Sequence, residues 1–154
     1  MSTIQISEKL KTLALDLTRS FPRSPRETLG GYVIAARTLD KCRAVLNNSQ
    51  GEYHFNCPLD RRFFDFTELD AEAFKAFVAT GAIDEEVAEW IVSHAKTRDR
   101  SEIVEWNNDH RYKRISDLPA ALQVYFEDYI PQFVPKGKVV YHWFDVYDYE
   151  EGRL

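Results

Sequence analysis

The run Ser20-Phe-Pro-Arg-Ser-Pro-Arg-Glu-Thr-Leu-Gly-Gly-Tyr32, followed by Arg37-Thr-Leu-Asp-Lys-Cys-Arg43, places a helix-start signal, a glycine pair and a column of charges in one short stretch. Ser24-Pro25-Arg26-Glu27 reads as a capping box, with Ser24 at the N-cap, Pro25 at the first helical position and Glu27 reaching back. The spacing predicts a helix from there to about Leu46, stopped by Asn47-Asn48. Tyr32, Ala35, Leu39, Cys42 and Leu46 form its apolar face. Arg26, Gly30, Val33, Arg37, Asp40, Lys41 and Ala44 fall on the opposite side.

Working outward, Gly51–Pro58 alternates weakly and suits a short strand or an extended loop. Phe63, Phe64 and Phe66 are too apolar to face solvent together, which suggests a short helical turn on the core. Further helices are predicted after Asp70, Asp84, Asp99 and Ser116 or Asp117, the last stopped by Pro131. Val139–Tyr149 is rich in strand-favouring residues and is expected as a short strand or an extended docked segment. The expected fold is mainly α, a compact single-domain helical bundle over 1–154. Residues 1–18 form an N-terminal arm or helix, and 131–154 a docked C-terminal extension.

Composition narrows the class. With 154 residues, 44% hydrophobic and 29% charged, the chain is expected to be a soluble globular protein that can bury a core. A formal charge of −5 argues against a nucleic-acid partner. No continuous apolar span suggests a membrane helix. No secretion leader is recognised, so a cytoplasmic protein with Cys42 and Cys57 as free thiols is expected. Residues 19–43 carry six cationic side chains against two carboxylates, whereas 143–154 carry four carboxylates against one arginine. The two segments are thus electrostatically complementary, within one chain or between two copies.

The succession Phe21-Pro-Arg-Ser-Pro-Arg, Leu29-Gly-Gly-Tyr, Arg37, Asp40-Lys41-Cys-Arg43-Ala44, Cys57-Pro-Leu-Asp60 and Phe63-Phe-Asp-Phe66 resembles a bacterial family called domain of unknown function 5069. The later spacing of Gly81, Asp84 and Trp90 is similar too. The resemblance covers roughly residues 15 to 92 and brings no activity, cofactor or catalytic residue with it.

A helix start at Ser24 would offer unpaired N–H groups to an anion, with Arg23, Arg26 and Arg37 as forked donors. Each glycine inside a helix costs about 1 kcal/mol relative to alanine, so a close approach at Gly30 or Gly31 is expected. Tyr32, Asp40, Lys41 and Asp60 complete the candidate ligand site. The structural alternative is an ordinary cap, a packed helix and solvated ion pairs. His54, Cys57 and Asp60 form too sparse a set for a metal, and no cofactor is expected. Two classes of function stay open: binding of a small phosphate or carboxylate ligand, and a protein-interaction or homo-oligomerisation module without catalysis.

Overall fold

Gly30 and Gly31 sit at the tip of a β-hairpin, not inside a helix. In the computed structural model, which describes residues 7–154, their φ values are 63° and 91°. Two consecutive left-handed residues are what a two-residue type I′ turn requires. The turn pairs β1 (Thr28–Leu29) with β2 (Tyr32–Val33) in antiparallel register, Thr28 opposite Val33 and Leu29 opposite Tyr32. The helix predicted with Ser24 as its N-cap therefore begins ten residues later, as α2 (Ala35–Leu46) with Ile34 at the N-cap. Ser24 instead belongs to a turn. Its carbonyl accepts from the Glu27 N–H at 3.0 Å and its Oγ from the Arg26 N–H at 3.1 Å. The Ile34 N–H then closes on Pro25 O at 2.8 Å. The predicted end of the helix is correct, with Asn48 left-handed at φ 56°.

The chain is mainly α, with eight α-helices and one small hairpin among the described residues. It divides into two compact units, Met1–Asp99 and Arg100–Leu154. Residues 1–6 of the expected N-terminal arm lie outside the described residues.

In the first unit, α1 (Glu8–Leu13), α3 (Pro58–Thr67), α4 (Ala71–Val78) and α5 (Asp84–His94) accompany α2. Every residue of α2 except Val45 is buried, so this helix forms the middle of the unit. The phenylalanines expected in a short helical turn lie in the second half of α3, a helix of 10 residues opened by Pro58 at its first position. The preceding 51–57 segment makes turns and contains no strand. Asp70 caps α4 as predicted, accepting from the Ala73 N–H at 3.0 Å. Asp84 is the first residue of α5, one position inside the predicted cap. The core is aromatic: Phe74 lies 5.4 Å from Phe64 and 5.9 Å from Trp90, ring centre to ring centre, and stacks on Phe55.

In the second unit, α6 (Arg100–Arg111), a 3₁₀ turn (Ile115–Asp117), α7 (Ala120–Phe133) and α8 (Trp143–Glu150) follow in order. Pro131 does not stop α7 but lies in its last turn. The bond its missing N–H forgoes is to the carbonyl of Glu127, an exposed residue. The expected C-terminal strand is corrected in the same way. Only a single bridge, Arg114 to His142, is extended pairing, and α8 follows it. The His142 N–H donates to Asp145 Oδ2 at 3.1 Å, and winding the segment buries Trp143, Phe144 and Val146 together. Burial on one helical face overrides the strand preference of these residues. Tyr129 of α7 donates to Glu150 Oε2 of α8 at 2.6 Å. Among the described residues, no helix is long and apolar enough to cross a membrane.

Candidate functional site

The charged column of α2 is buried, and it serves two separate clusters. Arg37, Asp40, Lys41 and Arg43 are each at most 4% exposed. Charges at such depth need partners, and the elements around α2 supply them.

The first cluster lines an open hollow of about 550 Å³. Asp40 accepts three bonds from Arg23: from its backbone N–H at 2.8 Å, its Nε at 3.0 Å and its Nη2 at 3.0 Å. Arg23 Nη1 turns to Asp84 Oδ2 at 2.8 Å. Arg43 Nη1 meets the other oxygen of Asp84 at 2.8 Å, and its Nη2 donates to Ala82 O at 2.9 Å. Two guanidinium groups, from the 21–27 turn and from α2, thus converge on one carboxylate at the start of α5. Leu13, Leu15 and Ile83 supply the apolar part of the wall, and Glu85 adds a carboxylate. Burial works against the Asp84 charge, but Arg23 and the bonds from both arginines outweigh it and hold the carboxyl below its ordinary range. Burial likewise opposes the Arg23 charge and is outweighed by Asp40 and Asp84, so this guanidinium keeps its proton more firmly than usual.

The second cluster lies within the fold. Lys41 Nζ pairs with Asp60 Oδ1 at 2.9 Å, and both side chains are essentially sealed from water at 3% and 0% exposure. Asp60 also accepts from Thr38 Oγ1 at 2.7 Å and from the Asn56 N–H at 2.9 Å, so its lone pairs are well used. Lys41 Nζ reaches Cys57 Sγ at 3.1 Å. His54 is exposed. Among the described residues, no three His, Cys, Asp or Glu side chains group as metal ligands.

The candidate ligand residues read from the sequence are therefore distributed. Arg23 and Asp40 reach the hollow, while Lys41 and Asp60 belong to the inner pair. Arg37 Nη1 donates to Arg23 O at 3.2 Å, and its guanidinium lies 5.6 Å from the Tyr53 ring centre. It supports the turn that carries Arg23. Ser24 shapes that turn, and Arg26 belongs to it without lining the hollow. Tyr32 packs edge-on against Phe63 and Phe66. Gly30 does have a close neighbour: an added Cβ would meet Ala88 O of α5 at 3.2 Å. The sequence marks Asp84 as a helix cap. Its role as the bridging carboxylate depends on a partner 61 residues away, which local pattern does not reveal.

The two thiols differ in environment. Cys42 is fully buried, and that burial pushes its thiol well above the usual range. Cys57 is half-buried at the N-cap of α3, with no capping bond from its side chain. Iodoacetamide under native conditions is expected to alkylate Cys57 and spare Cys42, read by peptide mass mapping. Equal labelling would contradict this.

Opposite charges at the two ends of the chain do not have to seek each other to be neutralised. Arg23 and Arg43 are paired inside the first unit, and Arg153 donates to Asp148 and Glu151 inside the second.

No curated protein matches this chain. Residues 19–153 match the model of a family described as a domain of unknown function (DUF5069), which takes in the hairpin, α2, both charged clusters and the second unit; the chain belongs to that family.

Proposed function

We propose that the hollow of the first unit binds a small molecule carrying one carboxylate or phosphate and an apolar portion. The observation that carries this reading is the convergence of Arg23 and Arg43 on Asp84. Forked guanidinium groups recognise planar carboxylates and phosphates, and here Asp84 occupies the position such a group would take. Its side chain is 37% exposed, the least enclosed of the four charges, so it is the member a ligand displaces. Leu13, Leu15 and Ile83 would take the apolar portion. The site is an anion slot held by an internal anion, not the helix N-terminus expected from Ser24.

Competition with Asp84 makes binding weak in the unmodified chain. Asp84→Ala frees the Nη1 atoms of Arg23 and Arg43, with Asp40 and Ala82 O still holding the rest of each fork, and is expected to tighten binding by at least about tenfold, a gain of about 1.4 kcal/mol. Arg23→Gln in the same background is expected to remove it. Calorimetric titration with butyrate and with inorganic phosphate tests this and separates an acid with an apolar tail from a bare anion. Absence of saturable binding to either probe, in both the unmodified chain and Asp84→Ala, would overturn the reading.

A second reading, an interaction or self-association module, draws on the second unit. Phe126 is the only buried residue of α7, while Val124, Tyr125 and Phe133 are 65%, 54% and 47% exposed. Concentration-dependent association in sedimentation velocity, with no anion binding, would favour this module over the ligand site.

A further inference from the structure

We propose that Cys57 and Lys41 form a peroxide-driven covalent crosslink that disarms the buried ion pair of the first unit. This inference is independent of the ligand reading. Three features bring it about. The Cys57 sulfur is at an N-cap without a capping bond and is half-buried, within reach of a molecule as small as hydrogen peroxide. The nitrogen of Lys41 lies 3.1 Å from that sulfur. Lys41 is only 3% exposed and is held by Asp60, so its amine stays against the sulfur and cannot retreat into solvent.

The chemistry balances with one equivalent of hydrogen peroxide. The Cys57 thiolate attacks peroxide; an S–O bond forms, the O–O bond breaks, and the departing hydroxide takes a proton from the Lys41 ammonium to leave as water. Cys57 is then a sulfenic acid, oxidised by two electrons, and the peroxide is reduced. The neutral Lys41 amine attacks the sulfur. An S–N bond forms, the S–O bond breaks, and the leaving hydroxide takes a second proton from the nitrogen as a second water. Backbone nitrogens trap sulfenic acids in this way to give sulfenamides. Here a lysine amine is already placed to do so.

The consequence follows from Asp60. Once Lys41 is a sulfenamide it carries no charge, and a carboxylate with no solvent exposure loses its cation. A buried carboxylate without its counter-ion is strongly unfavourable, so oxidation is expected to loosen the first unit, and reduction to restore it.

The test uses the full chain carrying Cys42→Ala, which removes any disulfide of the same mass. After peroxide treatment the intact mass is expected to fall by two hydrogens. Trypsin is expected no longer to cleave after Lys41, and one joined peptide to contain Lys41 and Cys57. The crosslinked protein is expected to melt at a lower temperature than the reduced one, and a thiol reductant to restore both mass and melting point. Lys41→Arg, which keeps the cation but cannot form the same bond, is expected to carry Cys57 on to sulfinic acid. Should that variant not fold, the peptide map of the Lys41 protein decides alone. Accumulation of sulfinic acid at Cys57, with trypsin still cleaving after Lys41, would overturn the proposal.

Discussion

Asp60→Ala is expected to destabilise the first unit by about 3–5 kcal/mol, the cost of leaving one member of a buried ion pair without the other. Lys41 would be left at 3% exposure with no carboxylate beside it. Thr38 Oγ1 and the Asn56 N–H would lose their acceptor as well. Asn56 is left-handed at φ 61°, so the turn that leads into α3 would lose a bond that holds it. The same logic gives an internal control. The pair is expected to be worth little beyond an apolar pair of equal volume, so Lys41→Met with Asp60→Leu is expected to recover most of the loss. Urea unfolding followed by circular dichroism measures both. A loss below about 1 kcal/mol in Asp60→Ala would mean that the pair is solvated, as exposed pairs are.

The second large effect is expected at Phe74→Ala, about 3–5 kcal/mol. Phe74 is fully buried, and its ring is touched from several sides by Phe55, Phe63, Phe64 and Trp90. Truncation removes contact area and leaves a cavity that rigid aromatic neighbours fill poorly. Phe77, one turn on, is half-buried and stacks on Trp90 alone among these rings, so Phe77→Ala is expected to cost clearly less. Thermal unfolding of the two variants side by side checks the ranking. Equal losses would contradict the placement of the aromatic core around Phe74.

The residues that mislead are instructive. Ser24-Pro25 with Glu27 satisfies the local rule for a helix start, and the same residues satisfy a turn equally well. What decides is the glycine pair. Two glycines are costly in a helix and favourable at a type I′ turn, but strands of two residues are too short to announce themselves by alternation. The end of α2, by contrast, was legible, because Asn47-Asn48 act locally. So was the cap of α4 at Asp70. Val139–Tyr149 was read by propensity, and burial of Trp143, Phe144 and Val146 on one face reversed the outcome.

The candidate site was legible in its members and not in its pairing. Arg23, Asp40, Lys41 and Asp60 stand out as charges of the right kind. Whether α2 shows them to water or to protein depends on the turn before it and on α3 and α5, which lie far along the chain. Asp84 and Cys57 become informative only when folding brings them to Arg43 and Lys41. An arginine column read alone suggests a solvated face. Buried and bridged by one displaceable carboxylate, it suggests a slot.

That slot is tested most directly at the arginine side chains themselves. In Asp84→Ala, nitrogen-detected NMR of Arg23 and Arg43 during titration with butyrate is expected to give saturable shifts at both guanidinium groups with one common midpoint. Arg61, an exposed residue paired with Asp65, serves as the reference and is expected to stay still. Shifts that grow without saturation and equally at all three arginines would report ionic strength alone, and would contradict a bound anion between Arg23 and Arg43.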